Sequence, residues 1–286
     1  MNRRFNILFF LFTAILVASS LTVRAQGDKI DSWKAEADSL MQQEKFEEAL
    51  KLYDRIISSA RQADPRGAEA RYKRVICLYS LGNLDDALKE VNSFIEQTPD
   101  FPQARLLRAY IYRELGNTQG QLRDINHLLT NNPLNADLIK WKSYLLIQKE
   151  EYDSARAQLQ NAGILQNDPE IELYLGMTYY YAEDADSALI HFDKAIEMRP
   201  DFFSALLYSA SICLDQEAYE LALRYLDKAA LLDPANLSVL FYKGIALTEL
   251  GQLDEGCRYL SRAFYEGEED AAGFLEQNCF KYNPDY

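Results

Sequence analysis

The strongest constraint on this chain is a ladder of small residues at one spacing. Ala87, Gln121, Ala155, Ala188, Ala222 and Gly256 follow one another at a nearly constant interval of about 34 residues. Pro99, Pro133, Pro200 and Pro234 keep the same phase. Self-similarity at such a period means one supersecondary unit copied along the chain, each copy burying its apolar face only against its neighbours. Within each period apolar residues recur every three or four positions in two blocks, separated by a short polar or Gly-containing turn and closed by Pro. This pattern predicts a helical hairpin. In the stretch from Ala68 to Phe101, one helix is expected from about Glu69 to Leu81, a turn at Gly82 and Asn83, and a second helix from about Asp85 to Gln97. Gly supplies the left-handed state that ends the first helix, and Pro stops the second.

The copy with Leu175, Gly176, Tyr179, Ala188, Phe192, Ala195 and Pro200 resembles the tetratricopeptide repeat. The resemblance implies an all-α fold, a right-handed α-α superhelix of about seven hairpins whose first helices line the concave side. In that phase the units fall at about 30–67, 68–101, 102–135, 136–168, 169–202, 203–236 and 237–270. A capping helix and tail follow at 271–286. Three departures are visible. The first unit carries about four extra residues before Pro65, read as an extended second helix or a loop. Thr118, Gly120 and Gln121 stand where the repeat has a bulky, a variable and a small residue, so that hairpin is expected to be looser. Gly163 interrupts the second helix of the fourth unit.

Residues 1–25 have a different character. Arg3 and Arg4 precede an apolar run from Ile7 to about Ala18, and Val23-Arg24-Ala25 precedes Gln26. This reads as a signal peptide cleaved after Ala25, with an uncleaved anchor as the alternative. Export then places the protein in the periplasm, or at the outer membrane, of a Gram-negative bacterium. The chain carries a formal net charge of −14, and removing the leader deletes three Arg and no acid. A field of that sign disfavours nucleic acid as a partner. Membrane contact is expected only through an uncleaved signal.

Catalysis leaves little trace. His127 and His191 lie far apart in the register without ligands at metal spacing, and no phosphate loop, nucleophile elbow or paired-Cys zinc pattern occurs. No enzyme activity, metal or cofactor is expected. Cys77 and Cys213 sit at apolar helix positions as core thiols. Cys257 begins the last second helix and Cys279 ends the capping helix, a spacing that allows the cap to fold back on the last hairpin. They form either a disulfide in an oxidising compartment or a pair of reduced packing residues.

The resemblance directs attention to the second, fifth, sixth, ninth, twelfth and thirteenth places of each first helix, which face the groove in that family. They hold Tyr72, Lys73, Tyr79, Tyr110, Arg113, Lys140, Trp141, Tyr144, Tyr174, Tyr180, Tyr181, Tyr208, Phe241 and Tyr242. Tyr and Trp combine large contact area with a polar tip and concentrate at binding hot spots. Part of the enrichment serves packing, because Tyr is common at the fifth and twelfth places. Trp141, Tyr174, Tyr208 and Tyr242 share the sixth place and are expected to anchor a partner, with Lys73, Arg113 and Lys140 pairing with its carboxylates. Lys34 alone does not complete a carboxylate clamp, since Asp38, Lys73, Gln103 and Leu107 fill the other places. The expected role is a protein–protein interaction scaffold holding a peptide segment or helix of another protein. The alternatives are a glycan-binding module and a structural subunit of an envelope secretion or assembly machine.

Overall fold

A computed structural model describes residues 26–60, 64–163 and 167–279. The expected signal peptide lies outside the described residues. Every regular element among the described residues is helical. The first helix, α1, covers 26–42. It is followed by α2 (Phe46–Ser59), α3 (Pro65–Ser80), α4 (Leu84–Gln97), α5 (Pro102–Glu114), α6 (Thr118–Asn131), α7 (Ala136–Gln148) and α8 (Tyr152–Gly163). Then come α9 (Pro169–Tyr180), α10 (Ala185–Met198), α11 (Phe203–Asp215), α12 (Tyr219–Leu232), α13 (Leu237–Glu249), α14 (Leu253–Tyr265) and α15 (Ala271–Asn278). None of the helices among the described residues is long and apolar enough to cross a membrane.

The chain divides into two compact units, residues 1–133 and 134–286. Within each, every helix packs on the next, and first helices also touch one another, as α3 with α5, α7 with α9 and α11 with α13. The small-residue ladder sits at these interfaces: Ala87, Ala155, Ala188 and Ala222 are fully buried. Glycine goes further. A Cβ on Gly176 would stand 2.4 Å from the Phe192 ring, and one on Gly244 2.6 Å from Leu260, so no larger residue fits without moving the paired helix.

Local chemistry sets the helix ends. Asp64, Asn135, Asp168 and Asn236 accept hydrogen bonds from backbone N–H groups in the first turns of α3, α7, α9 and α13. In each hairpin the chain turns by the same device, a backbone bond that reaches back over the end of the first helix, such as Asn83 N–H to Leu78 O at 2.9 Å and Asp184 N–H to Tyr179 O at 3.0 Å. The residue before that donor is left-handed in all seven hairpins. It is Gly82, Gly116 and Gly251 in three, but Glu44, Glu150, Glu183 and Glu217 in four, with φ between 57° and 62° for the glutamates. A side chain in this state costs about 1 kcal/mol over glycine. The triple replacement Glu150→Gly, Glu183→Gly and Glu217→Gly should therefore raise the thermal midpoint of the second unit; an unchanged or lowered midpoint would show that the turns carry no such strain.

Two expectations need correction. Helix α3 begins at Pro65, four residues before Glu69, because Pro at the first position and the Asp64 cap start it there. The extra residues before Pro65 do not extend α2, which ends at Ser59 and has 14 residues like α4, while α3 itself runs to 16. The α5–α6 hairpin is not loose either. Gly120 lies against the Tyr112 ring, which a Cβ would approach to 2.7 Å, so the close approach moves one residue from the ladder position. Gln121 is buried beside it. Helix α8 ends at Gly163.

At the C-terminal end, α15 packs on α13 and α14. Leu275, Ala271, Leu260 and Leu240 form its core, Phe274 meets Phe241 edge-on at 5.5 Å, and a Cys257–Cys279 disulfide closes the arrangement. Cys77 and Cys213 are buried thiols, each pushed up to about 11 by burial.

Candidate partner-binding site

The groove-facing positions divide between the two units. In the first, Tyr72 packs against Phe94 and Phe101 at ring distances of 5.8 and 5.0 Å, and burial raises its phenol pKa. Tyr79 is half-buried on the same core. Arg113 lies 5.0 Å over the Tyr110 ring and bonds Glu114. Lys73 is half-buried on α3. Lys34 is held by Glu69 and Asp38. Here the aromatic residues largely support the hairpins.

The second unit is different. Tyr180 and Tyr181 end α9, Tyr208 stands on α11 and Tyr242 on α13, and the fold brings them together. The Tyr208 ring meets Tyr180 edge-on at 5.3 Å, and its hydroxyl lies 3.2 Å from that of Tyr181. The other side of the ring is stacked at 5.1 Å, 10° from parallel, on Phe192, which is itself fully buried between α9 and α10. Tyr181 is 44% exposed and stacks on Tyr152 at 6.2 Å. Tyr174 contacts Tyr144 at 6.4 Å. Trp141 is half-buried on α7.

Between α9, α11 and α13 lies a cavity of about 310 Å³ lined by Tyr180, Phe203, Ser204, Leu207, Tyr208, Ser211, Ser238 and Tyr242. The lining has no charged residue. Its hydroxyls are arranged around Ser211, which lies 3.5 Å from the Tyr180 hydroxyl. Burial pushes the Tyr208 and Tyr242 phenols up, and for Tyr208 the Tyr181 hydrogen bond adds to it. Both hydroxyls are neutral donors and acceptors at physiological pH.

One assignment is overturned by geometry. Lys140 does not await a partner's carboxylate: its ammonium is bonded to Glu170 at 2.7 Å and Asp168 at 3.0 Å, with Asp137 at 3.2 Å. These bonds hold its proton more tightly in spite of burial. Lys140 is an internal tie between α7 and the start of α9. Five lining residues escaped the sequence reading: Phe203 holds a first place, outside the groove-facing set, while for the other four the signal was present. Ser204 and Ser238 occupy second places, Leu207 a fifth and Ser211 a ninth; a selection for aromatics and cations passes over them. Among the described residues no three His, Cys, Asp or Glu side chains gather as a metal site. His191 Nδ1 lies within hydrogen-bond distance of Glu172 at 2.7 Å, and its ring stacks on Tyr179 at 5.3 Å.

The tetratricopeptide repeat profile matches residues 34–100, 81–126 and 173–236, more than half of the chain. The chain belongs to the tetratricopeptide repeat family. Three solved structures illustrate the fold of this TPR protein. A tetratricopeptide repeat protein from Parabacteroides merdae is 16% identical, with a TM-score of 0.65 over 86% of this chain and 97% of that one. The pilF protein of Pseudomonas aeruginosa is 17% identical, with a TM-score of 0.61 over 73% and 97%. YrrB, described as a TPR protein with an unusual peptide-binding site, is 24% identical, with a TM-score of 0.50 over 60% and 90%. No curated protein matches the TPR chain in sequence.

Proposed function

We propose that this TPR protein is a non-enzymatic scaffold of the bacterial cell envelope that seats an extended segment or helix of another protein along α9, α11 and α13. One large apolar side chain of the partner fills the cavity. The observation that carries this reading is the convergence of Tyr180, Tyr208 and Tyr242 on an uncharged cavity of about 310 Å³, a volume suited to a single anchoring side chain. Rings held from behind, as Phe192 holds Tyr208, present contact area without a large ordering cost on binding. Ser204, Ser211 and Ser238 supply hydroxyls for the partner's backbone. With Lys140 engaged internally, partner selection here rests on shape and apolar fill. YrrB, with its peptide-binding site, lends support by analogy of fold. Export is supported by the signal-type N-terminus and by a disulfide, which persists in oxidising compartments.

The test is selection of binding peptides from a displayed library, followed by isothermal titration with Tyr208→Ala and Tyr242→Ala. Each variant should weaken binding about 30-fold, the scale of a hot-spot truncation. Peptides that bind both variants as well as the parent would place the interface elsewhere. A second reading draws on the same lining, because flat rings and hydroxyls without charge also suit a neutral sugar. Saturable binding of an envelope oligosaccharide that is lost in Tyr208→Ala, with no peptide selected, would replace the peptide reading.

A further inference from the structure

The first unit carries a second opening, away from the groove positions. A cleft of about 260 Å³ lies between the second helices α2 and α4, floored by α3, and is lined by Asp54, Ile57, Arg71, Arg74, Glu90, Ser93, Phe94 and Gln97. Arg71 and Arg74 stand one helical turn apart on α3 and enter the same cleft. Arg74 spans it: Nε bonds Asp54 at 2.6 Å, and the opposite end of the guanidinium bonds Glu90. Both acids of the cleft are thereby committed to Arg74. Arg71 forms no ion pair among the described residues, and its buried Nε has no hydrogen-bond partner among them. A buried guanidinium N–H left without an acceptor is costly, and its complement is an anion.

The next repeat shows which anion. Arg105 and Arg108 repeat Arg71 and Arg74 one period later, and Asp124 repeats Glu90 at the same interval. In that layer Asp124 takes Arg108 through two bonds of 2.6 and 2.7 Å and also stands 3.8 Å from Arg105, whose buried Nε likewise makes no hydrogen bond among the described residues but whose charge is met. The carboxylate at this place therefore reaches both arginines in one layer, whereas in the other Glu90 pairs with Arg74 and not with Arg71.

We propose that the α2–α4 cleft is a carboxylate-binding slot for an acidic peptide of a partner protein. One Asp or Glu side chain enters with its oxygens on the Arg71 guanidinium, the fork geometry that arginine offers a carboxylate. An adjacent apolar side chain covers Ile57 and the edge of Phe94, and the peptide backbone meets Ser93 and Gln97 at the rim. Asp54 and Glu90 oppose a phosphate dianion more strongly than a single carboxylate, so the monoanion is the fitting ligand. The slot lies in the first unit and stands independently of the tyrosine cavity.

The experiment follows the arginine side-chain Nε–Hε and the backbone amide signals of the uniformly 15N-labelled full chain. It is titrated with N-acetyl-Leu-Glu-amide, with N-acetyl-Leu-Gln-amide and with inorganic phosphate. The Arg71 signal should move saturably with the Glu peptide and much less with the other two. In Arg71→Gln, binding read at the backbone amides of Ser93 and Gln97 should weaken at least tenfold. No saturable shift, or an equal shift with the Gln peptide, would overturn the proposal; tighter binding of phosphate would replace it with a phosphate site. The wild-type titration decides the matter even if the variant fails to fold.

Discussion

Replacing Asp124 with alanine lowers the stability of the first unit by about 3–5 kcal/mol, measured by urea unfolding of the full chain. The Asp124 side chain is 1% exposed and lies among three partly buried groups. Arg108 donates two hydrogen bonds to it and a third to Asn92 at 2.8 Å, and Arg105 approaches to 3.8 Å. A buried ion pair adds little over an apolar pair of the same size, because desolvation offsets the attraction. Removing one side is another matter, since two guanidinium groups then stay buried without a counter-charge. The variant Asp124→Ala/Arg108→Leu should recover a good part of the loss. A loss below about 1 kcal/mol for the single variant would mean that water reaches the arginines once the carboxylate is gone.

Converting Cys257 and Cys279 to alanine should cost about 3 kcal/mol, the loop-closure value for a crosslink of this span. The loss should be local. In a repeat array the end unit has a neighbour on one side only and opens first. Without the crosslink α15 detaches, and Leu240, Leu260 and Phe241 lose the cover of Leu275 and Phe274. The check is hydrogen exchange across α13–α15 together with thermal melting in the presence and absence of reductant. The parent should become reductant-sensitive on heating, since both sulfurs are buried until the cap opens, while the double variant should be insensitive. Equal protection of α15 in both would show that apolar packing alone holds the cap.

The fold was legible because a repeat states its rule many times: the constant period, the small residue after the turn and the closing Pro identify the hairpins without any single motif being decisive. The failures came where one repeat solves the shared problem differently. Asp64 and Pro65 start α3 early by local capping, which the period does not register. At Gly120 and Gln121 the close approach shifts by one residue, and the Arg108–Asp124 pair, joining α5 to α6, takes over part of the apolar contact. In the candidate site, the sixth-place residues Tyr208 and Tyr242 line the cavity, while Trp141 and Tyr174 at the same place do not. Register did not distinguish a ring that lines a cavity from one that props up a hairpin, as Tyr72 does. Nor could it show that Lys140 is tied to Asp168 and Glu170, because that bond depends on how two repeats stack.

The stacking of Tyr208 on Phe192 bears on how the specificity of this protein can change. Phe192 fits under Gly176, where no side chain has room, and its outer face carries the ring that frames the cavity. Under the proposed function, altering either residue disturbs recognition and hairpin together, so a new preference gained there comes with a weakened repeat. Ser204, Ser211 and Ser238 border the same cavity, and all three lie outside the buried interior of the second unit. Exchanging these for larger or charged residues resizes the cavity and resets its polarity while the hairpins keep their packing. A library built on the three serines alone should therefore yield folded variants with new partners at high frequency, and one built on Phe192 and Tyr208 should yield few.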